Sequence, residues 1–129
     1  MKTSFKLMNW TTIIIVGAMV AAFLLVAKSG QISVKDAAAH LKNGALVIDV
    51  RSPGEFSSGH LTNAINMPLD QIATDVLERV KDKSQVLLLH CASGMRSGMA
   101  QKKLNSLGYT NAFNLGSYGR AESILKRSQ

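Results

Sequence analysis

A single cysteine, Cys91, occurs in 129 residues, so the chain cannot close an internal disulfide and cysteine usage names no redox compartment. The three histidines, His40, His60 and His90, have neither i,i+4 nor clustered spacing, and the residues form no metal-ligand pattern. Aromatic residues are 5% of the chain and do not interleave with the basic ones. That removes the stacking platforms on which single-stranded nucleic acid is held. With two prolines, no internal repeat and no low-complexity tract, nothing suggests a long linker or an array. The formal charge is +7, but residues 31–129 carry 12 Lys or Arg against 8 Asp or Glu, a net of +4. Lys102, Lys103, Arg120, Lys126 and Arg127 supply most of that excess. They read as a solvated basic face suited to anionic substrates or lipid headgroups, and not to nucleic acid.

What the chain has in excess is one apolar run. Ile13 to Ala27 is unbroken, and Leu7 to Ala27 is 21 residues containing one Asn. As a helix this would span about 31 Å, against a hydrocarbon core of about 30 Å. Lys2 and Lys6 precede it and Lys28 follows. A cleaved signal peptide would have a shorter apolar core and an A-x-A-like site, whereas Ala27-Lys28-Ser29 places Lys in the middle. A buried core helix would need a larger protein around it. The expectation is therefore a basic segment at 1–9, an uncleaved transmembrane helix at 10–27, a polar linker at 28–31 and one domain at 32–129. The basic N-terminus places the domain outside the cytoplasm, on the periplasmic side of a single-pass membrane protein.

Within the domain, Ser33-Val34-Lys35-Asp36 and Ser52-Pro53-Gly54-Glu55 read as capping boxes that start helices. Ala45–Val50 and Gln85–His90 are short apolar runs, the mark of strands buried on both faces. Ala64–Met67 and Ala112–Leu115 read as two further strands. Helices are expected around Ile72–Val80, Ser97–Leu107 and Ala121–Lys126. This alternation predicts an α/β fold, a parallel sheet with helices on both faces. Ligands in such sheets bind beyond the carboxyl ends of the strands, where Cys91 stands.

The run Cys91-Ala92-Ser93-Gly94-Met95-Arg96-Ser97 joins an apolar strand to an amphipathic helix. Backbone amides at a helix N-terminus and a guanidinium stabilise negative charge. The same field lowers a thiol pKa, so Cys91 is expected to act as a thiolate nucleophile. Ser93 and Ser97 are candidate donors to the sulfur. Met95 and Met99 read as loop and core filler, and His90 as a packed histidine pointing away from Cys91.

Several ordered motifs in this chain resemble the single-domain rhodanese (thiosulfate sulfurtransferase) family. They are Val47-Ile48-Asp49-Val50-Arg51, Glu55-Phe56, Gly59-His60-Leu61, Ala64-Ile65-Asn66-Met67-Pro68, the Cys91–Arg96 loop and Leu107-Gly108-Tyr109. The resemblance covers about residues 31–120 and is nearest to short bacterial phage-shock-type rhodaneses. It implies sulfur transfer from thiosulfate or a persulfide to a thiophilic acceptor, cyanide in vitro, through a persulfide on Cys91 and without cofactor or metal. It gives Arg96 the task of closing the loop or holding the anionic donor, with Ala92, Ser93, Gly94, Met95 and Ser97 forming the cradle. Asp49, Arg51, Glu55 and His60 become structural residues near the site, with Arg51 expected to pair with Glu55. Small sulfur-containing anions, the membrane and a protein thiol acceptor are the implied partners. Asn63 and Gly116-Ser117 stand where the family often has Gly and Gly-Gly.

Cysteine phosphatases have one residue more between Cys and Arg, which widens the amide ring for phosphate. Four residues lie between Cys91 and Arg96, and no Asp follows the loop as a general acid. Sulfur transfer is favoured over phosphatase or arsenate reductase chemistry. A membrane-tethered persulfide carrier with little turnover is the alternative.

Overall fold

The computed structural model describes residues 9–129, with the side chains of 26–29 outside the described set. The chain divides after Gly30 into two units. In the first, α1 (Trp10–Ser29) forms as its apolar run requires, and its side chains from Trp10 to Leu25 are exposed. Among the described residues, however, no helix is long and apolar enough to cross a membrane. This overturns the transmembrane assignment of 10–27 and, with it, the single-pass, periplasmic placement. The basic start with Lys2 and Lys6 lies outside the described residues, as does the side chain of Lys28.

The second unit, Gln31–Gln129, begins where Ser33 caps a helix. Its hydroxyl accepts the Asp36 N–H at 3.0 Å and starts α2 (Val34–Lys42). Strand β1 (Leu46–Asp49) follows, then α3 (Pro53–Ser58). Both halves of the Ser52 capping box form: Glu55 N–H donates to Ser52 Oγ at 3.2 Å, and Ser52 N–H to Glu55 Oε2 at 3.0 Å. Next come β2 (Ile65–Asn66), α4 (Ile72–Arg79), β3 (Leu87–His90), α5 (Met95–Ser106), β4 (Ala112–Gly116) and α6 (Tyr118–Ser128). The strands pair in parallel in the order β2-β1-β3-β4.

Leu87, Leu88 and Leu89 have no exposed surface because the sheet is covered on both sides. Leu87 and Leu89 pack with Ile72 and Val76 of α4 and Ala100 and Leu104 of α5. Leu88 points the other way, to Ala37 of α2 and Ala121 and Ile124 of α6. Each such leucine contributes about 1.5–3 kcal/mol of burial. Tyr109 closes the first layer, its hydroxyl donating to the carbonyl of Val80 at 2.8 Å just past α4.

Two element boundaries differ from expectation and bear on the site. Helix α5 begins at Met95, not Ser97, because Gly94 takes φ +95° and turns the chain into the helix inside the loop. Helix α6 begins at Tyr118, not Ala121, because the Ser117 hydroxyl accepts the Arg120 N–H at 3.2 Å. The register brings Asp49 beside both Asn66 and His90, and His90 beside Gly116, so all four strands end at one edge.

Candidate active site

Strand β3 ends at His90, and Cys91 is the first residue beyond it. The Cys91 N–H donates to Gly116 O at 3.3 Å, and the Tyr118 N–H to Ala92 O at 3.3 Å, which fastens the loop to the end of β4 and the start of α6. A bridge between Ser93 and Ser117 adds a third tie. Gly94, in the left-handed region, directs its N–H at Cys91 Sγ, 3.0 Å away. A Cβ at Gly94 would meet Gln31 Nε2 at 3.2 Å and the Gly116 backbone at 3.3 Å, so conformation and space both require glycine. Met95, Arg96 and Ser97 form the first turn of α5, whose N-terminal dipole favours an anion at Sγ.

Cys91 has no exposed surface, while Ala92, Ser93 and Met95 on the loop around it are exposed. Burial pushes the Cys91 thiol up. Hydrogen bonding from the Ser97 hydroxyl and from the amides of Ser97, Gly94 and Ser93 outweighs this and holds the thiol below its ordinary value. The Ser97 hydroxyl is 3.6 Å from Sγ.

Arg96 is half-exposed and reaches Glu55 of α3 in a fork, Nη1 to Oε2 at 2.8 Å and Nη2 to Oε1 at 2.9 Å. The Arg96 guanidinium, with the Ser52 amide and hydroxyl, holds the Glu55 carboxyl well below the usual carboxylate range. The expected Arg51–Glu55 pair does not form. Arg51 instead folds back on Asp49, with Nη2 to Oδ2 at 2.7 Å, donates to Gly59 O at 2.7 Å and lies 4.9 Å from the Tyr118 ring centre. Asp49 is fully buried, and a buried carboxylate takes the nearest cation that satisfies it.

His60 is exposed and stacks on Phe56 at 3.8 Å, its Nδ1 2.9 Å from Phe56 O, at the C-terminal end of α3. His90 is fully buried, packed edge-on to Tyr118, with Nε2 3.7 Å from Asp49 Oδ2. Burial holds it below the ordinary histidine range. Met95 and Met99 are not core filler: they are 68% and 51% exposed on the outer face of α5.

Asn114 was not singled out in the sequence. It is buried under the loop, its Nδ2 donating to Gly94 O at 3.1 Å and its Oδ1 accepting from Ser97 Oγ at 2.7 Å and Gly116 N–H at 2.9 Å. The available signal was an amide inside the otherwise apolar Ala112–Leu115 strand, since a buried polar side chain needs partners. Asn63 is the one non-glycine residue with positive φ among the described residues, at 63°, a conformation asparagine tolerates. No group of three or more His, Cys, Asp or Glu that could hold a metal ion occurs among the described residues.

Comparison with known proteins places this geometry. The Rhodanese-like domain family profile matches residues 33–119. The thiosulfate sulfurtransferase PspE of Escherichia coli is 36% identical over 69 residues, 54% of this chain and 66% of the relative. The thiosulfate:glutathione sulfurtransferase of Saccharomyces cerevisiae is 40% identical over 77 residues, 51% of this chain and 55% of the relative. The chain thus spans between half and two thirds of the length of these relatives. Among solved structures, a rhodanese with anions from E. coli aligns with TM-score 0.57 at 32% identity, covering 60% of this chain and 91% of that one. A human single-domain sulfurtransferase aligns with TM-score 0.61 at 27% identity, covering 75% of this chain and 96% of that one. With most of the second unit matched and a parallel sheet ending in the Cys91 loop, the chain belongs to the Rhodanese-like domain family.

Proposed function

We propose that this chain transfers sulfane sulfur through a persulfide on Cys91, with thiosulfate or an organic persulfide as donor and a thiol as acceptor. The observation that carries this reading is the Gly94 N–H aimed at Cys91 Sγ at 3.0 Å, in a loop that holds the thiol below its ordinary value. The thiolate attacks the outer sulfur of thiosulfate, a new S–S bond forms, and the old one breaks with its electron pair leaving on sulfite. An acceptor thiolate then attacks the outer persulfide sulfur, and Cys91 leaves as the thiolate. Cyanide can take that sulfur in the same way. The amides that hold the resting thiolate also hold the departing one.

Two relatives act on thiosulfate, and one of them is described as passing sulfur to glutathione. Those properties support the choice of donor and of a small thiol as acceptor. Four residues separate Cys91 from Arg96, one fewer than in cysteine phosphatases, and this shorter ring of amides supports sulfur transfer over phosphate chemistry. Because Cys91 carries no exposed surface in this state, loading requires the loop from Ala92 to Arg96 to yield as the donor enters. The Glu55–Arg96 fork is the tie at the mouth of that loop, where Arg96 can trade Glu55 for an anionic donor.

Intact-mass measurement after incubation with thiosulfate tests the proposal. One added sulfur atom is expected on the native chain and none on Cys91→Ser, whose hydroxyl cannot store sulfane sulfur. A Cys91→Ser chain that still turned over thiosulfate and cyanide would overturn the assignment.

A further inference from the structure

The Ser97 hydroxyl has one proton and three acceptors within reach: Asn114 Oδ1 at 2.7 Å, Gly94 O at 3.1 Å and Cys91 Sγ at 3.6 Å. All of these residues are buried. The shortest contact shows where the proton rests in this state. The other hydrogen bonds at the site decide whether it can leave. Asn114 Oδ1 also accepts the Gly116 N–H at 2.9 Å. Gly94 O also accepts Asn114 Nδ2 at 3.1 Å and the Gly98 N–H at 3.1 Å. If the hydroxyl turns away from either oxygen, that oxygen keeps another donor and no buried acceptor is stranded. A thiolate, in contrast, gains most from a second donor, because a hydrogen bond to a charged acceptor is about twice as strong as a neutral one.

We infer that Asn114 is a positioning residue for Cys91. It holds the Ser97 hydroxyl on its side-chain oxygen while the sulfur is neutral, and yields it to the sulfur when the sulfur is ionised. The covalent O–H bond of Ser97 is kept throughout: the hydroxyl rotates, and the thiol proton departs to solvent. The same Asn114 amide donates to Gly94 O and so holds the Gly94–Met95 peptide, next along the chain from the Ser93–Gly94 peptide whose N–H already points at Sγ. One side chain therefore touches two of the cradle's donor residues, accepting the movable Ser97 hydroxyl and holding the carbonyl of Gly94. The inference rests on the proposed role of Cys91 as nucleophile, but its readout is the ionisation of the thiol and not sulfur transfer.

The test uses the full chain, isotopically labelled, with Cys91 ionisation followed by its alkylation rate against pH. In the native chain the side-chain amide resonances of Asn114 should move with the same midpoint as Cys91, and in Ser97→Ala they should stop moving. Ser97→Ala should also weaken Cys91 ionisation by about threefold in the native background and about tenfold beside Asn114→Ala, where the nearest competing acceptor is gone and only the Gly94 carbonyl remains. Asn114 resonances that stay flat as Cys91 ionises, or that still move in Ser97→Ala, would overturn the inference. So would an equal effect of Ser97→Ala in both backgrounds. If Asn114→Ala does not fold, the resonance measurement alone decides. A chain that shows the coupling but takes up no sulfur from thiosulfate would sink the proposed function and leave this inference standing.

Discussion

Arg96 and Glu55, 41 positions apart in sequence, meet in a two-bond fork that ties the Cys91 loop to the capping box of α3. Glu55 is thus shared between two tasks, receiving the Ser52 N–H through one oxygen and the Arg96 guanidinium through both. The loop and the start of α3 are held as one piece, and the positive charge nearest the sulfur is already partnered.

A lysine at this place cannot make the fork. Arg96→Lys is expected to slow persulfide formation from thiosulfate by about tenfold, with little loss of stability because the pair is half-exposed. Single-turnover loading followed by mass spectrometry checks this. Equal rates for Arg and Lys would show that only charge matters at the loop mouth.

Gly94→Ala should destabilise the domain by about 1–3 kcal/mol, through φ +95° and the approach of Cβ to Gly116 backbone atoms at 3.3 Å. As the Gly94 N–H is displaced from Sγ, the alkylation midpoint of Cys91 should rise. Thermal unfolding and alkylation against pH measure the two effects. A variant with an unchanged midpoint would mean that the amide does not hold the sulfur.

Asp49→Asn removes one half of a buried pair and leaves Arg51 with a neutral partner. A cost of about 3 kcal/mol is expected, enough to lower the unfolding midpoint by about 12 °C or more. Calorimetry of the native and variant chains decides it. A loss within about 1 kcal/mol would show that the Gly59 carbonyl and Tyr118 ring suffice for Arg51.

His90 is neutral by burial, so its folded-state pKa lies below the unfolded value of about 6.5. Across that window the unfolded chain binds more protons than the folded one. Stability therefore rises with pH through the window and falls as pH drops below about 6.5. Urea midpoints should decrease between about pH 7 and about pH 5.5 in the native chain, and decrease less in His90→Phe. Parallel declines in the two chains would remove His90 as the source.

The parts of the fold that were readable in advance rest on short-range physics. The capping serines at 33 and 52 bond amides three residues away, and Leu87-Leu88-Leu89 can be buried only between two covered faces. The Cys91 loop was readable for the same reason: strand, glycine, arginine and helix are consecutive. Asn114 was not, because its partners Gly94 and Ser97 are 20 and 17 positions away and become neighbours when β4 pairs with β3.

By itself, then, the sequence determined a parallel α/β domain with a lone thiol at the carboxyl edge of its sheet, since caps and apolar runs act within a few residues. Tertiary structure decided the ion pairing, giving Arg51 to Asp49 and Glu55 to Arg96 against the expected Arg51–Glu55 pair. It also decided the burial of Cys91 and the placing of Asn114 beneath it. The reason is that a charged or amide side chain chooses among whatever groups the meeting loops bring within about 3 Å, and that choice exists only once the strands have paired.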